Sequence, residues 1–84
     1  MPKPIEYSRE ALRTLRRMDR KTAARIIAKV EQLAADPASL VNNLQRLKGE
    51  ETMMRLRVGD WRVLYEDGLV LAVFRIAPRG SAYD

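Results

Sequence analysis

Arg55, Arg57, Arg62 and Arg75 stand in segments whose other residues are mostly apolar and alternate with a period of two. A guanidinium offers paired N–H donors that fit phosphate oxygens, so the chemistry open to such a set is phosphate recognition. Residues 53–58 read as a strand, Gly59-Asp60 as a tight turn and residues 61–66 as a second strand. Asp67-Gly68 is a type I′ hairpin signal, and residues 69–77 form a third strand. With two-residue loops, Val58 lies opposite Trp61 and Glu66 opposite Leu69. Arg57 and Arg62 are then directly opposed, with Arg55 and Arg75 nearby. Like charges opposed across strands are destabilising. A bound phosphate backbone is the simplest reason to concentrate them there. The alternative is a solvated face whose arginines are screened, or paired with Glu50, Glu51 or Glu66.

The same pleat sorts the apolar residues. Met54, Leu56, Val58, Trp61, Val63, Tyr65, Val70, Ala72, Phe74 and Ile76 fall on one face, which reads as the core. Trp61 and Tyr65 are therefore read as packing residues. The arginine face also carries Met53, Leu64, Leu71 and Val73. With no further segment downstream to cover them, Leu64, Leu71 and Val73 predict an interaction patch.

Upstream elements must supply the cover for the core. Pro2 and Pro4 disfavour a helix, so residues 5–7 read as a short strand, with Tyr7 a lid on the sheet edge. Ser8 can cap a helix with an apolar stripe of Leu12, Leu15 and Met18. Asp19 can cap a second helix running to about residue 36, with Ala23, Ile26, Ile27, Val30, Leu33 and Ala34 at helical spacing. The opposite side of the pair is basic, with Arg13, Arg16, Arg17, Arg20, Lys21, Arg25 and Lys29. Asp36-Pro37 ends the second helix, and residues 39–49, containing Asn42 and Asn43, read as a connector. The expected fold is α+β: an N-terminal short strand and helical hairpin packed on an antiparallel β-sheet, as one domain over residues 1–84.

Composition narrows the chemistry further. The chain has 84 residues, is 46% hydrophobic and 32% charged, and carries a net charge of +5. That balance suits a globular domain with a polyanionic or acidic partner, or a merely soluble basic domain. It has no cysteine and no histidine. Disulfides, thiol nucleophiles, the usual zinc ligand sets and the commonest general acid–base are thus excluded. No cofactor or metal is expected. No apolar run is long enough for a membrane span and no signal-peptide core is present, so no membrane partner and a cytoplasmic location are expected.

The run Leu47-Lys48-Gly49, then Arg55-Leu56-Arg57-Val58-Gly59-Asp60-Trp61-Arg62-Val63-Leu64-Tyr65, resembles the signature of the RelE/ParE toxin superfamily. Ile76-Ala77-Pro78-Arg79 and Tyr83 are similar to its closing strand and tail. The order of elements fits as well. The resemblance implies a RelE-like fold and, for the RelE branch, ribosome-dependent cleavage of mRNA, neutralised by a cognate antitoxin. Members of the ParE branch inhibit DNA gyrase instead, and a third possibility is a member that has lost toxicity.

By position, the resemblance assigns catalytic roles to Arg55, Arg62, Arg79 and Tyr83. Arg57, Arg75, Lys48 and Arg46 become supporting RNA-binding residues. Leu64, Leu71 and Val73 become candidate antitoxin contacts, and the basic helical face a candidate contact for ribosomal RNA. Two departures stand out: Met53 replaces a catalytic lysine, and the C-terminal helix of some members has no counterpart.

Overall fold

The structure is a computed structural model that describes residues 2–47 and 52–80. Strand β1 (Ile5–Tyr7) leads into helix α1 (Arg9–Arg17) and helix α2 (Arg20–Ala35). A 3₁₀ segment (Pro37–Asn43) follows, then β2 (Leu44–Arg46), β3 (Met53–Val58), β4 (Trp61–Asp67) and β5 (Leu71–Pro78). The strands form one five-stranded sheet in the order β1-β5-β4-β3-β2.

Both helix starts are capped as their sequences predict. The Ser8 hydroxyl accepts from the backbone N–H of Ala11 at 3.0 Å. The Asp19 carboxylate accepts from the Thr22 N–H at 3.0 Å and from the Thr22 hydroxyl at 2.6 Å. The side-chain bond from Thr22, with the backbone bond beside it, holds the Asp19 carboxyl below its ordinary range. Each cap satisfies a donor that the first helical turn cannot.

The helices cover one face of the sheet. Ala11 and Leu15 of α1 and Ile26, Val30 and Leu33 of α2 bury against Leu56, Val58, Val63, Tyr65 and Ile76. On α1 the buried stripe is Ala11, Leu15 and the half-buried Met18, while Leu12 is exposed. Trp61 packs against the core from its margin, and Tyr65 lies within it. Burial of the Tyr65 phenol, reinforced by the Asp67 carboxylate, pushes its pKa up to about 12.

Three features depart from the sequence expectation. The sheet is mixed, because β1 pairs parallel with β5 in the register Ile5–Leu71, Glu6–Ala72 and Tyr7–Val73. Tyr7 is therefore a pairing residue packed on the core, and its buried hydroxyl lacks a hydrogen-bond partner among the described residues. Burial, with the Glu31 carboxylate contributing, raises its pKa. The connector also contains ordered structure: β2 pairs antiparallel with β3, matching Leu44 with Leu56, Gln45 with Arg55 and Arg46 with Met54.

The third departure concerns Leu71 and Val73. The second hairpin closes on an Asp67–Leu71 pair, which leaves a three-residue loop of Gly68, Leu69 and Val70. Against the expected Glu66–Leu69 pairing, this shifts the register by an odd number of residues and turns β5 over. Leu71 and Val73 consequently lie in the core, 2% and 1% exposed, and are not surface strip residues. Phe74, expected inside, stands at a bulge and is 40% exposed. The bulge restores the expected phase, so Ile76 faces the core and Arg75 pairs with Leu64. The shift places two large apolar side chains under the helices where Val70 and Ala72 were expected. The extra apolar burial favours that register.

Candidate nucleic-acid interface

The face of the sheet away from the helices holds the arginines. β3 and β4 pair Val58 with Trp61, Arg57 with Arg62 and Arg55 with Leu64, the register expected for a two-residue turn. Arg57 and Arg62 are thus opposed as the pattern predicts. Both lie in a cleft of about 190 Å³ with Arg55, Asn42, Asn43, Leu44 and Gln45. Arg55 donates to the Gln45 side-chain carbonyl. The Asn43 amide donates to the Arg57 carbonyl at 3.3 Å, tying the 3₁₀ segment to the strand behind the cleft.

Arg62 is the most constrained of the set. Its Nη1 donates to the Gly59 carbonyl and to the Trp61 carbonyl, each at 2.9 Å. One edge of the guanidinium is therefore fixed on the turn. Neither Arg57 nor Arg62 has an ion pair with a carboxylate among the described residues. No aspartate or glutamate lines the cleft. A pair of opposed cations without an internal counter-charge is what a bound polyanion would satisfy.

Arg79 belongs to the same end of the sheet. Its backbone N–H donates to the Asp60 carbonyl at 2.8 Å. Residue 79 therefore continues the ladder one position beyond the Trp61–Pro78 pair, in step with Arg62 and Ala77. Arg75 is drawn elsewhere. Its Nε lies 3.5 Å from a Glu10 carboxylate oxygen, and it borders a separate groove of about 520 Å³ along the outer edge of β5 with Trp61, Thr14 and Arg17. Arg46 is exposed on edge strand β2 and alternates with Gln45, so it does not line the cleft. Lys48 and Tyr83 lie outside the described residues.

Of the expected apolar strip, Leu64 alone remains on the arginine face, 8% exposed between Arg55 and Arg75 in the register. Asn42, Asn43 and Gln45 line the cleft but were not among the expected site residues. Their signal was faint, since two asparagines in a connector read first as turn chemistry.

The cleft supplies hydrogen-bond donors and positive charge. The charged side chains that line it are all arginines. Such a site can bind phosphate and stabilise charge developing on phosphorus, while proton transfer must come from another group.

Comparison with known proteins bears on the family and the fold. The family model described as the ParE toxin of the type II toxin–antitoxin system parDE matches residues 5–83. Among solved structures, RelE in the archaeal RelE–RelB complex of Pyrococcus horikoshii OT3 is similar, with a TM-score of 0.80 and 22% identity, covering 98% of this chain and 100% of that one. A mutant of Escherichia coli toxin RelE in the free state gives a TM-score of 0.78 at 15% identity, covering 98% and 88% respectively. A chain of the E. coli DinJ–YafQ toxin–antitoxin complex gives 0.69 at 16% identity, with both chains fully covered at 100%. Among curated proteins, none matches the sequence.

Proposed function

This chain belongs to the RelE/ParE superfamily of type II toxin–antitoxin toxins, and from that premise we propose that it is a ribosome-dependent mRNA endoribonuclease that arrests translation. The observation that carries the reading is the Arg57–Arg62 opposition in a cleft without acidic residues. A module that only binds protein gains nothing from that arrangement, whereas a phosphate backbone neutralises it.

In the proposed reaction the RNA's own 2′-oxygen attacks the adjacent phosphorus and the 5′-oxygen leaves. A base takes the 2′-proton, an acid protonates the 5′-oxygen, and the products are a cyclic phosphate and a free 5′-hydroxyl. Arg62 and Arg79 clamp the phosphorus oxygens as negative charge grows, the role for which fixed guanidiniums are suited. Arg55, which lines the same cleft as Arg62, assists. Tyr83 is our choice of base, on its resemblance to the tail tyrosine of the family. Tyr7 and Tyr65 are unsuited to that role, both having pKa values raised by burial. Met53 in place of a basic residue leaves more of the effect to positioning, with the ribosome shaping the substrate.

The partners of this reading are a cognate antitoxin, the ribosome and mRNA, with Arg13, Arg16 and Arg20 on the helices as contacts for ribosomal RNA, in the cytoplasm. RelE is solved with RelB in the archaeal complex, and the reading extends an antitoxin to this chain. Leu64 is the residue of the expected strip that such a segment would still meet.

A second reading is favoured by the family model's own description, which names ParE. Under it, the chain inhibits DNA gyrase without chemistry of its own. Primer extension on mRNA after brief expression separates the two. Codon-phased cuts within translated regions, lost on Arg62→Ala, Arg79→Ala and Tyr83→Phe, support the nuclease. Intact mRNA with an SOS response favours gyrase.

A further inference from the structure

The arginine face does not end at the sheet. Gly59, in the β3–β4 turn, has φ +58, and a Cβ built there would meet Arg25 Nη1 at 3.1 Å, Nη2 at 3.4 Å and Cζ at 3.5 Å. Arg25 reaches the turn from α2, on the side of the helices. Arg62 holds the carbonyl of the same glycine from the open face at 2.9 Å. Two guanidiniums from different elements therefore meet at one residue that has no side chain to part them. Asparagine or aspartate is the usual alternative to glycine at positive φ. Their Cβ would require the Arg25 guanidinium to give by a few tenths of an ångström.

Arg25 also sits in a like-charge row. Lys21, Arg25 and Lys29 follow at intervals of four on α2, a spacing that places them on one side of the helix. Such rows are destabilising unless an anion lies over them. Lys29 donates to the Gln32 side chain at 3.3 Å. Arg25 has no ion pair or side-chain hydrogen bond among the described residues, and Asp60, the carboxylate of the turn, does not pair with it.

We propose that Arg25 binds an RNA phosphate, so that the RNA path in the Arg57–Arg62 cleft continues over the Gly59-Asp60 turn onto α2 toward Lys21. The inference rests on reading the cleft as an RNA site, and it extends that site from one face of the sheet to two sides of one turn. The path turns about the short hairpin, with Arg62 on its inner side and Arg25 on its outer side. The phosphate belongs either to the strand held in the cleft or to ribosomal RNA beside it.

Binding measurements on the full chain test this without requiring cleavage. The probes are a fluorescein-labelled single-stranded RNA twelve-mer, followed by anisotropy from 50 to 200 mM salt, and ribosomes free of mRNA, followed by cosedimentation. Losing one phosphate contact lowers the slope of log affinity against log salt by about 0.7 on a single strand and weakens binding about three- to tenfold. Arg25→Ala is expected to show that loss and Arg25→Lys to retain the slope. Arg9→Ala, which removes the same charge from the first turn of α1, is expected to leave it unchanged. Loss on the twelve-mer assigns the phosphate to the strand in the cleft; loss on ribosomes alone assigns it to ribosomal RNA. Arg25→Ala binding both probes like Arg9→Ala would overturn the proposal. Failure of the wild-type chain to cut mRNA would remove the nuclease reading and leave this measurement standing.

Discussion

The sheet has two hairpin turns built to different standards. The turn at Gly59-Asp60 is short, and several elements converge on it: Arg25 packs on its glycine, Arg62 holds the Gly59 carbonyl and that of Trp61 beside the turn, and the backbone of residue 79 hangs on Asp60. The turn at residues 68–70 is longer, carries Leu69 at 95% exposure, and is closed by a bond from the Gly68 N–H to the Val70 carbonyl at 3.1 Å. The first turn fixes where cations stand. The second does no more than reverse the chain, and its consequence lies in the register that it hands to β5. A turn wired to several elements marks where position matters; a turn wired to itself marks where only connection does.

Substitutions can break that contrast, and the largest effect is expected just after the loose turn. Leu71→Ala removes a core side chain delivered by the register and should cost about 2–5 kcal/mol in urea unfolding. If it cost no more than a surface change, Leu71 would belong on the open face after all. Gly59→Val should cost about 1–3 kcal/mol, since a β-branched residue at φ +58 is strained and its Cβ presses on the Arg25 guanidinium. The same variant should also weaken RNA binding, because it shifts the Arg25 guanidinium. At the second turn, Leu69→Asp should stay within about 0.5 kcal/mol of wild type, as exposed positions do. A larger cost there would mean that the loose turn carries a contact of its own.

How much of this was legible in the sequence follows from the same contrast. Gly59-Asp60 separates two clean alternating runs, so the pairing of Arg57 with Arg62 could be counted from the residues. Asp67-Gly68 looked equally decisive, yet the chain adds a residue to the loop and a bulge at Phe74. Local turn chemistry lost there to the larger apolar burial that Leu71 and Val73 provide, a tertiary effect that a short window cannot carry. β2 was invisible because three residues are too few to display a period. Without β2, Gln45 and the two asparagines could not be brought beside Arg55. The arginines themselves were legible; the polar wall opposite them was not.

The parallel pairing of β1 with β5 has a consequence for the order in which the molecule is made. Ile5–Tyr7 emerge well before Leu71–Val73, their strand partner among the described residues, and the bond from the Leu71 N–H to the Pro4 carbonyl (2.8 Å) spans nearly the whole described chain. The helices and the β3–β4 hairpin can form from local contacts as they emerge. The first strand must wait for the last, and the loop between them has to close against chain entropy. Until β5 is out, the core lacks Leu71, Val73 and Ile76, and the ladder that seats residue 79 beside the turn does not exist. The backbone of Arg79 thus reaches the Gly59-Asp60 turn only when β5 pairs, whereas Arg57 and Arg62 are already opposed by the β3–β4 hairpin alone.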